Sequence, residues 1–348
     1  MSYRSVIASF ALLLFCCALA PARADATGEL VQSRRLRAAF MKRFERPRVA
    51  LEPAVVSTEI RDGLLREKIT VASEAGVRVP VLVIRKAGDA SRHPVVICLH
   101  GLGGNKEGLS GYLEQFARRG FVGVALDARY HGDRAGNLSR AMAESFRTGK
   151  EHPYLWDTVW DTWRVIDYLQ TRQDVDKERL GAMGISLGGH TTWMVSADSR
   201  VKVAVPCISV CSWRWQLDHQ GYTQRVKNLQ GAFDSVRDAM GEPGVNRKVV
   251  AVAWQKWLPG IPKDFDCQDL LAAMAPRPLL ILGGDSDPVA PLDGAKEAFA
   301  VIEPAYKRAG AADRLQILIA ENSGHTITEP QQQALYAWFE RWLKPPGK

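Results

Sequence analysis

Gly184-Ile185-Ser186-Leu187-Gly188-Gly189 is the stretch on which the fold turns. It follows a short apolar run, Arg179 to Met183, and opens a helix-like segment from Leu187 onward. A G-x-S-x-G pentapeptide between strand and helix is the pattern of a nucleophile elbow. The turn is so tight that the residues flanking the serine must be nearly free of side chain, which Gly184 and Gly188 provide. Ser186 then projects its hydroxyl from the carboxyl edge of a sheet, beside the amino end of a helix. Partial positive charge there favours a developing oxyanion. Taken alone the pentapeptide also fits an ordinary glycine-rich turn, so its meaning depends on the rest of the chain.

A serine nucleophile needs a base, and the base needs an orienting acid, in the chain order Ser, acid, His. Two strand-like runs follow Ser186. Pro278 to Leu282 runs into Gly283-Gly284-Asp285-Ser286-Asp287-Pro288, and Leu315 to Ala320 runs into Glu321-Asn322-Ser323-Gly324-His325. Each candidate therefore falls just past a strand end. His325 is the expected base. His190 shares the helix that Ser186 opens, and His219 lies in an irregular stretch, so neither follows a strand. Asp287 is favoured as the acid because Asp287-Pro288-Val289-Ala290-Pro291 pins its loop with two fixed φ angles. Asp285, which also reads as a loop carboxylate capping nearby amides, and Glu321 stand as alternatives. An oxyanion hole needs two backbone amides. Leu187 follows the nucleophile, and Leu102 lies on the loop His100-Gly101-Leu102-Gly103-Gly104, just past the apolar run Pro94 to Leu99. His100 reads as a brace for that loop.

These residues together resemble the α/β-hydrolase superfamily, in its dienelactone-hydrolase-like and acetyl-xylan-esterase-like branch, which also includes relatives of the prolyl oligopeptidase catalytic domain. The resemblance is carried by the His100–Gly104 loop, Asp127-Ala128-Arg129-Tyr130-His131-Gly132, the elbow, the Asp287–Pro291 loop and His325. It covers roughly residues 65 to 345. It implies an α/β fold with a mostly parallel central sheet and helices on both faces. It also implies a serine hydrolase acting on carboxylic esters, short acetyl-type esters above all, with no cofactor. Dienelactone hydrolases carry a cysteine nucleophile where this chain has Ser186, which argues for a serine esterase. A peptidase or amidase with the same triad is the runner-up. The large propeller of the oligopeptidases has no room in the residues ahead of the first hairpin. A non-catalytic envelope binding protein is the reading from a different class.

The chain has 348 residues, 46% of them apolar, enough for one large α/β domain or two small ones. Residues 1–24 read as a cleaved signal peptide: Arg4, then the apolar stretch Val6 to Ala20 broken only by Ser9, then Ala22-Arg23-Ala24. The stretch is shorter than the roughly 20 apolar residues that a membrane span needs, so export to the periplasm or medium is expected, with no stable membrane anchor. Without Arg4 and Arg23 the net charge falls from +8 to +6. Residues 25–64 are expected to form an N-terminal helical segment. Leu36, Phe40 and Phe44 stand at helical spacing there, among arginines that read as solvated rather than as a nucleic-acid or lipid surface. No nucleic-acid motif and no metal-ligand spacing of His and Cys is present. Cys98 reads as a buried small hydrophobe, while Cys207 and Cys211 are close enough to bridge.

Two stretches interrupt the alternation of strands and helices within the domain expected over 65–348. Tyr130 to Trp156 is long for a connection, and 209–265 is longer still and rich in tryptophan. The second reads as a cap-like insertion whose Trp213 and Trp215 either line an acyl or sugar pocket or hold the insertion to the body. Arg129 is a further candidate for a polar substrate group, with a salt-bridged brace as its other reading. The expected substrate is a small-molecule or carbohydrate ester.

Overall fold

The computed structural model describes residues 20–134, 136–149 and 155–344. Most of the expected signal peptide lies outside them. Helix α1 (Ala20–Lys42) comes first, followed by the antiparallel strands β1 (Ala54–Arg61), β2 (Leu64–Glu74) and β3 (Val77–Lys86). Then come β4 (His93–Leu99), α2 (Ser110–Arg118), β5 (Val122–Leu126), α3 (Leu138–Thr148) and α4 (Leu155–Leu169). The elbow joins β6 (Val175–Ile185) to α5 (Leu187–Val195), and β7 (Val201–Cys207) follows. The insertion holds α6 (Trp213–Asp218), α7 (Thr223–Asn228), α8 (Gln230–Met240) and α9 (Arg247–Trp257). The chain finishes with α10 (Cys267–Ala272), β8 (Leu279–Gly284), α11 (Leu292–Arg308), β9 (Leu315–Ala320) and α12 (Glu329–Leu343).

The strands form one sheet in the order β1-β2-β3-β5-β4-β6-β7-β8-β9. Pairing is antiparallel from β1 to β5 and parallel from β5 to β9. Both faces of the parallel part are covered. In β4, Val95, Ile97 and Leu99 enter the core beneath α4 and α5, while Val96 and Cys98 enter the core beneath α2 and α12. This period-two division is why the strand reads as a continuous apolar run.

The expected N-terminal helical segment is helical only as far as Lys42; its last part forms β1, exposed along its whole length. Phe40 and Phe44 of this segment are buried, and Phe44 stacks on Trp156 with ring centroids 3.8 Å apart. Its arginines are not simply solvated. Arg46 bonds Glu74 at 2.8 Å and Asp157 at 2.5 Å, and Arg48 bonds Asp167 at 2.7 Å. Cys98, Cys207, Cys211 and Cys267 are all buried free thiols, so Cys207 and Cys211 form no bridge. No helix among the described residues is long and apolar enough to cross a membrane.

The two interrupting stretches pack on each other. Trp257 of α9 donates its indole N–H to Met142 O of α3 at 2.9 Å, and Ala232 N of α8 donates to Ser139 Oγ at 3.0 Å. The insertion is fastened at its root by buried Asp266. That carboxylate accepts from Ser212 Oγ, Trp213 N and Arg214 N at the start of the insertion, and from Cys267 N at its end.

Candidate active site

Ser186 stands between β6 and α5 with φ 56° and ψ −109°. A non-glycine residue with positive φ stores strain on the order of 1–3 kcal/mol, and its surroundings must hold it there. The elbow permits no side chain on either flank. A Cβ at Gly184 would lie 2.2 Å from Gly188 O, and one at Gly188 would lie 2.0 Å from Leu99 O. The turn therefore presses α5 directly against β4 and sends the serine outward.

The loops after β8 and β9 bring two further side chains to Ser186. His325 Nε2 lies 2.7 Å from Ser186 Oγ, and His325 Nδ1 lies 2.7 Å from Asp287 Oδ2. Asp287 is 3% exposed. Its other oxygen accepts from Val289 N at 2.7 Å and Ala290 N at 3.0 Å, which fixes the carboxylate. An ionised carboxylate can only accept, so it selects the imidazole tautomer with the proton on Nδ1 and the lone pair on Nε2, facing the serine. Asp285 instead accepts from Asn322 N at 2.9 Å, Ser323 N at 3.1 Å and Ser286 Oγ at 2.9 Å. Those bonds hold its carboxyl below the usual range and tie the two loops together. Glu321 is exposed, and no bond among the described residues joins it to His325.

Leu187 is the first residue of α5, so its N–H has no intrahelical acceptor. Leu102 sits in a turn closed by Gly104 N donating to Gly101 O at 3.0 Å. Both line the cleft at Ser186. His100 braces this loop: its Nδ1–H donates to Gly101 O at 2.8 Å, and its Nε2 accepts from Ala128 N at 3.1 Å. Burial pushes its pKa down, consistent with that neutral tautomer.

Arg129, a candidate for a substrate group, is committed elsewhere. It reaches Asp161 and Asp157 at 3.1 Å each and also bonds Glu74. Arg134 joins Asp161 at 2.5 Å. Burial alone would raise the Asp161 carboxyl, but Arg134 and Arg129 outweigh it and hold the group below its ordinary value. Trp213 is fully buried with its ring against Trp254, and Trp215 stacks on His219 with centroids 4.7 Å apart. Neither indole lines the cleft. Its walls are Leu102, Leu187, His190, Arg225, Asn228, Leu229 and Val289. Arg225, Asn228 and Leu229 come from the insertion and carry no motif, whereas His190 lies one helical turn past Ser186 and Val289 two residues past Asp287. Among the described residues no cluster of three or more His, Cys, Asp and Glu is arranged to hold a metal ion.

The profile of the alpha/beta hydrolase family matches residues 96–338. The chain is similar to "Putative hydrolase YtaP" of Bacillus subtilis, 28% identical over 235 residues, or 67% of this chain and 68% of that one. It is also similar to "Putative esterase YitV" of the same organism, 25% identical over 286 residues, 79% of this chain and 100% of the other. Acetyl xylan esterase 1 from Thermoanaerobacterium superimposes with a TM-score of 0.65 at 16% identity, covering 91% of this chain and 93% of that structure. That likeness is one of fold.

Proposed function

The chain belongs to the alpha/beta hydrolase family, and from that premise we propose that it is an exported serine esterase working through Ser186, His325 and Asp287. The observation that carries the reading is the relay of two 2.7 Å contacts, Asp287 to His325 and His325 to Ser186. Ser186 Oγ attacks the acyl carbon as His325 Nε2 takes its proton. Asp287 keeps the imidazole oriented and stabilises the imidazolium. The amides of Leu102 and Leu187 receive the oxyanion, beside the amino end of α5. His325 then protonates the leaving alcohol, and water, activated by the same imidazole, releases the acid from the acyl-enzyme.

A short acyl group is favoured by the narrowness of the cleft and by the acetyl ester that the name of the xylan esterase prints. Export is supported by the sequence of residues 1–24, a signal-peptide pattern.

The test is turnover of a p-nitrophenyl ester series from acetate to long acyl chains, with p-nitroanilides in parallel. Ser186→Ala and His325→Ala should each lower kcat by about 10⁴-fold or more. Asp287→Asn should cost about 10⁴-fold through the wrong tautomer, and Asp285→Asn far less. Ester turnover that survives Ser186→Ala would refute the reading; turnover of anilides alone would replace it with an amidase.

A further inference from the structure

Arg225 is a buried cation with no anionic partner among the described residues. It lies in α7 and is 5% exposed. Its Nη1 donates to His190 Nε2 at 2.7 Å, and its guanidinium carbon lies 4.6 Å from the centre of the Trp213 ring. Nε and Nη2 are buried and have no acceptor among the described residues. No carboxylate among them pairs with it.

His190 holds this arginine without neutralising it. Burial first, then the neighbouring Arg225 and His325, push the His190 pKa well below its ordinary value of 6.5. The ring is therefore neutral and accepts at one nitrogen only. The 2.7 Å bond from the guanidinium takes that lone pair in preference to the 3.2 Å approach of Trp193 Nε1 to Nδ1. A buried charge left unpaired costs several kcal/mol, and the His190 bond and the Trp213 ring offset that cost without supplying a counter-charge.

The unused nitrogens define a shape. Nε–H and Nη2–H lie on one edge of the planar guanidinium and point the same way, which matches the two oxygens of a carboxylate. The location defines the neighbour. Arg225 lines the same cleft as Ser186, Leu102 and Leu187. Its anchor, His190, lies four residues along α5 from Ser186, on the order of 6 Å of helix rise. The other cleft walls carry no positive charge: Asn228, leucines, Val289 and the neutral His190. One cation balances a singly charged carboxylate, whereas a phosphate dianion would be left half-balanced.

We propose that Arg225 is a carboxylate receptor, and that the substrates of this site are esters carrying a free carboxylate a few bonds from the scissile group. The proposal rests on the reading of Ser186 as an ester-cleaving nucleophile, and its test separates the two. Ser186→Ala protein is titrated by calorimetry with monomethyl glutarate and with dimethyl glutarate. The monoester should bind at least tenfold more tightly, and the preference should vanish in Ser186→Ala/Arg225→Gln. Equal affinities, or a preference that survives Arg225→Gln, overturn the receptor. Should the double variant not fold, equal affinities in Ser186→Ala still overturn the receptor, and Ser186→Ala/Arg225→Lys, which loses the two-pronged edge, should bind the monoester more weakly than Ser186→Ala does.

Turnover by the unaltered protein supplies the other arm. A p-nitrophenyl hemiglutarate places the carboxylate on the acyl side, and 2-acetoxypropanoate places it on the alcohol side, so the faster substrate, each measured against its neutral counterpart, tells which side Arg225 reads. Cleavage of neutral esters without a monoester preference in binding overturns the receptor and leaves the esterase standing. A monoester preference in binding without turnover of any ester overturns the esterase reading.

Discussion

The loop after β5 and the short helix α7 each draw one arginine largely out of water, and the two could hardly be treated more differently. Arg129 is met by Asp157, Asp161 and Glu74, with Arg134 and Arg46 sharing the same carboxylates. Among the described residues Arg225 is met by a neutral ring and an indole face, with no carboxylate. The first arrangement is closed: every charge has its counterpart within the protein, and the network ties β2, the β5 loop, α4 and the N-terminal segment together. The second is open and borders the nucleophile. Residue type is the same, and Arg225 is the more buried of the two, so it is the presence of partners that separates a brace from a receptor.

The largest effect that could break this contrast lies in the closed network. Asp161→Ala leaves Arg129 and Arg134 without their shared buried partner and should cost about 3–5 kcal/mol in urea unfolding. A loss under about 1 kcal/mol would mean that the network is not a brace. The next effect concerns the neutrality of His190. Its folded pKa lies below 6.5, so as pH falls through 6.5 the unfolded chain takes up a proton that the folded protein refuses. Stability should therefore drop toward acid by up to about 1.4 kcal/mol per pH unit, from pH 6.5 down to the depressed folded pKa. His190→Gln should remove that share of the slope between pH 7 and 5; an unchanged slope would mean that His190 is not kept neutral. The smallest effect is that of Arg225→Met. It loses a hydrogen bond and a cation–π contact but also removes an unpaired buried charge, so unfolding should shift by about 1 kcal/mol or less in either direction. A cost matching that of Asp161→Ala would make the two arginines alike and sink the comparison.

The same contrast explains what could be read from the sequence. The elbow, the strands that end at Asp287 and His325, and the Leu102 loop were legible because each joins an apolar strand to residues that only chemistry or a forced turn requires. β1 was not legible: Ala54 to Arg61 buries neither face, so its pattern carried no core signal. The partners of Arg129 come from positions as far apart as Glu74 and Asp161, which local spacing cannot join. Arg225 lies in Thr223-Gln224-Arg225-Val226-Lys227-Asn228, a stretch indistinguishable from a solvated helix until burial is known.

Asp266 gives the molecule a property that its residue roles do not express. Because one carboxylate binds amides at both the departure and the return of the 209–265 excursion, the body meets that excursion as a short, closed stitch. Loop-closure entropy rises only slowly with length, and here the ends are already held together. Residues between the two ends can change in number without drawing those ends apart, provided that the side chains packed into the body, Trp213, Trp254 and Trp257, are kept. Arg225 belongs to the roof over Ser186, and it sits outside that set of packed tryptophans. A change of substrate can come about by exchanging side chains of the roof that face the cleft while the machinery below it stays as it is.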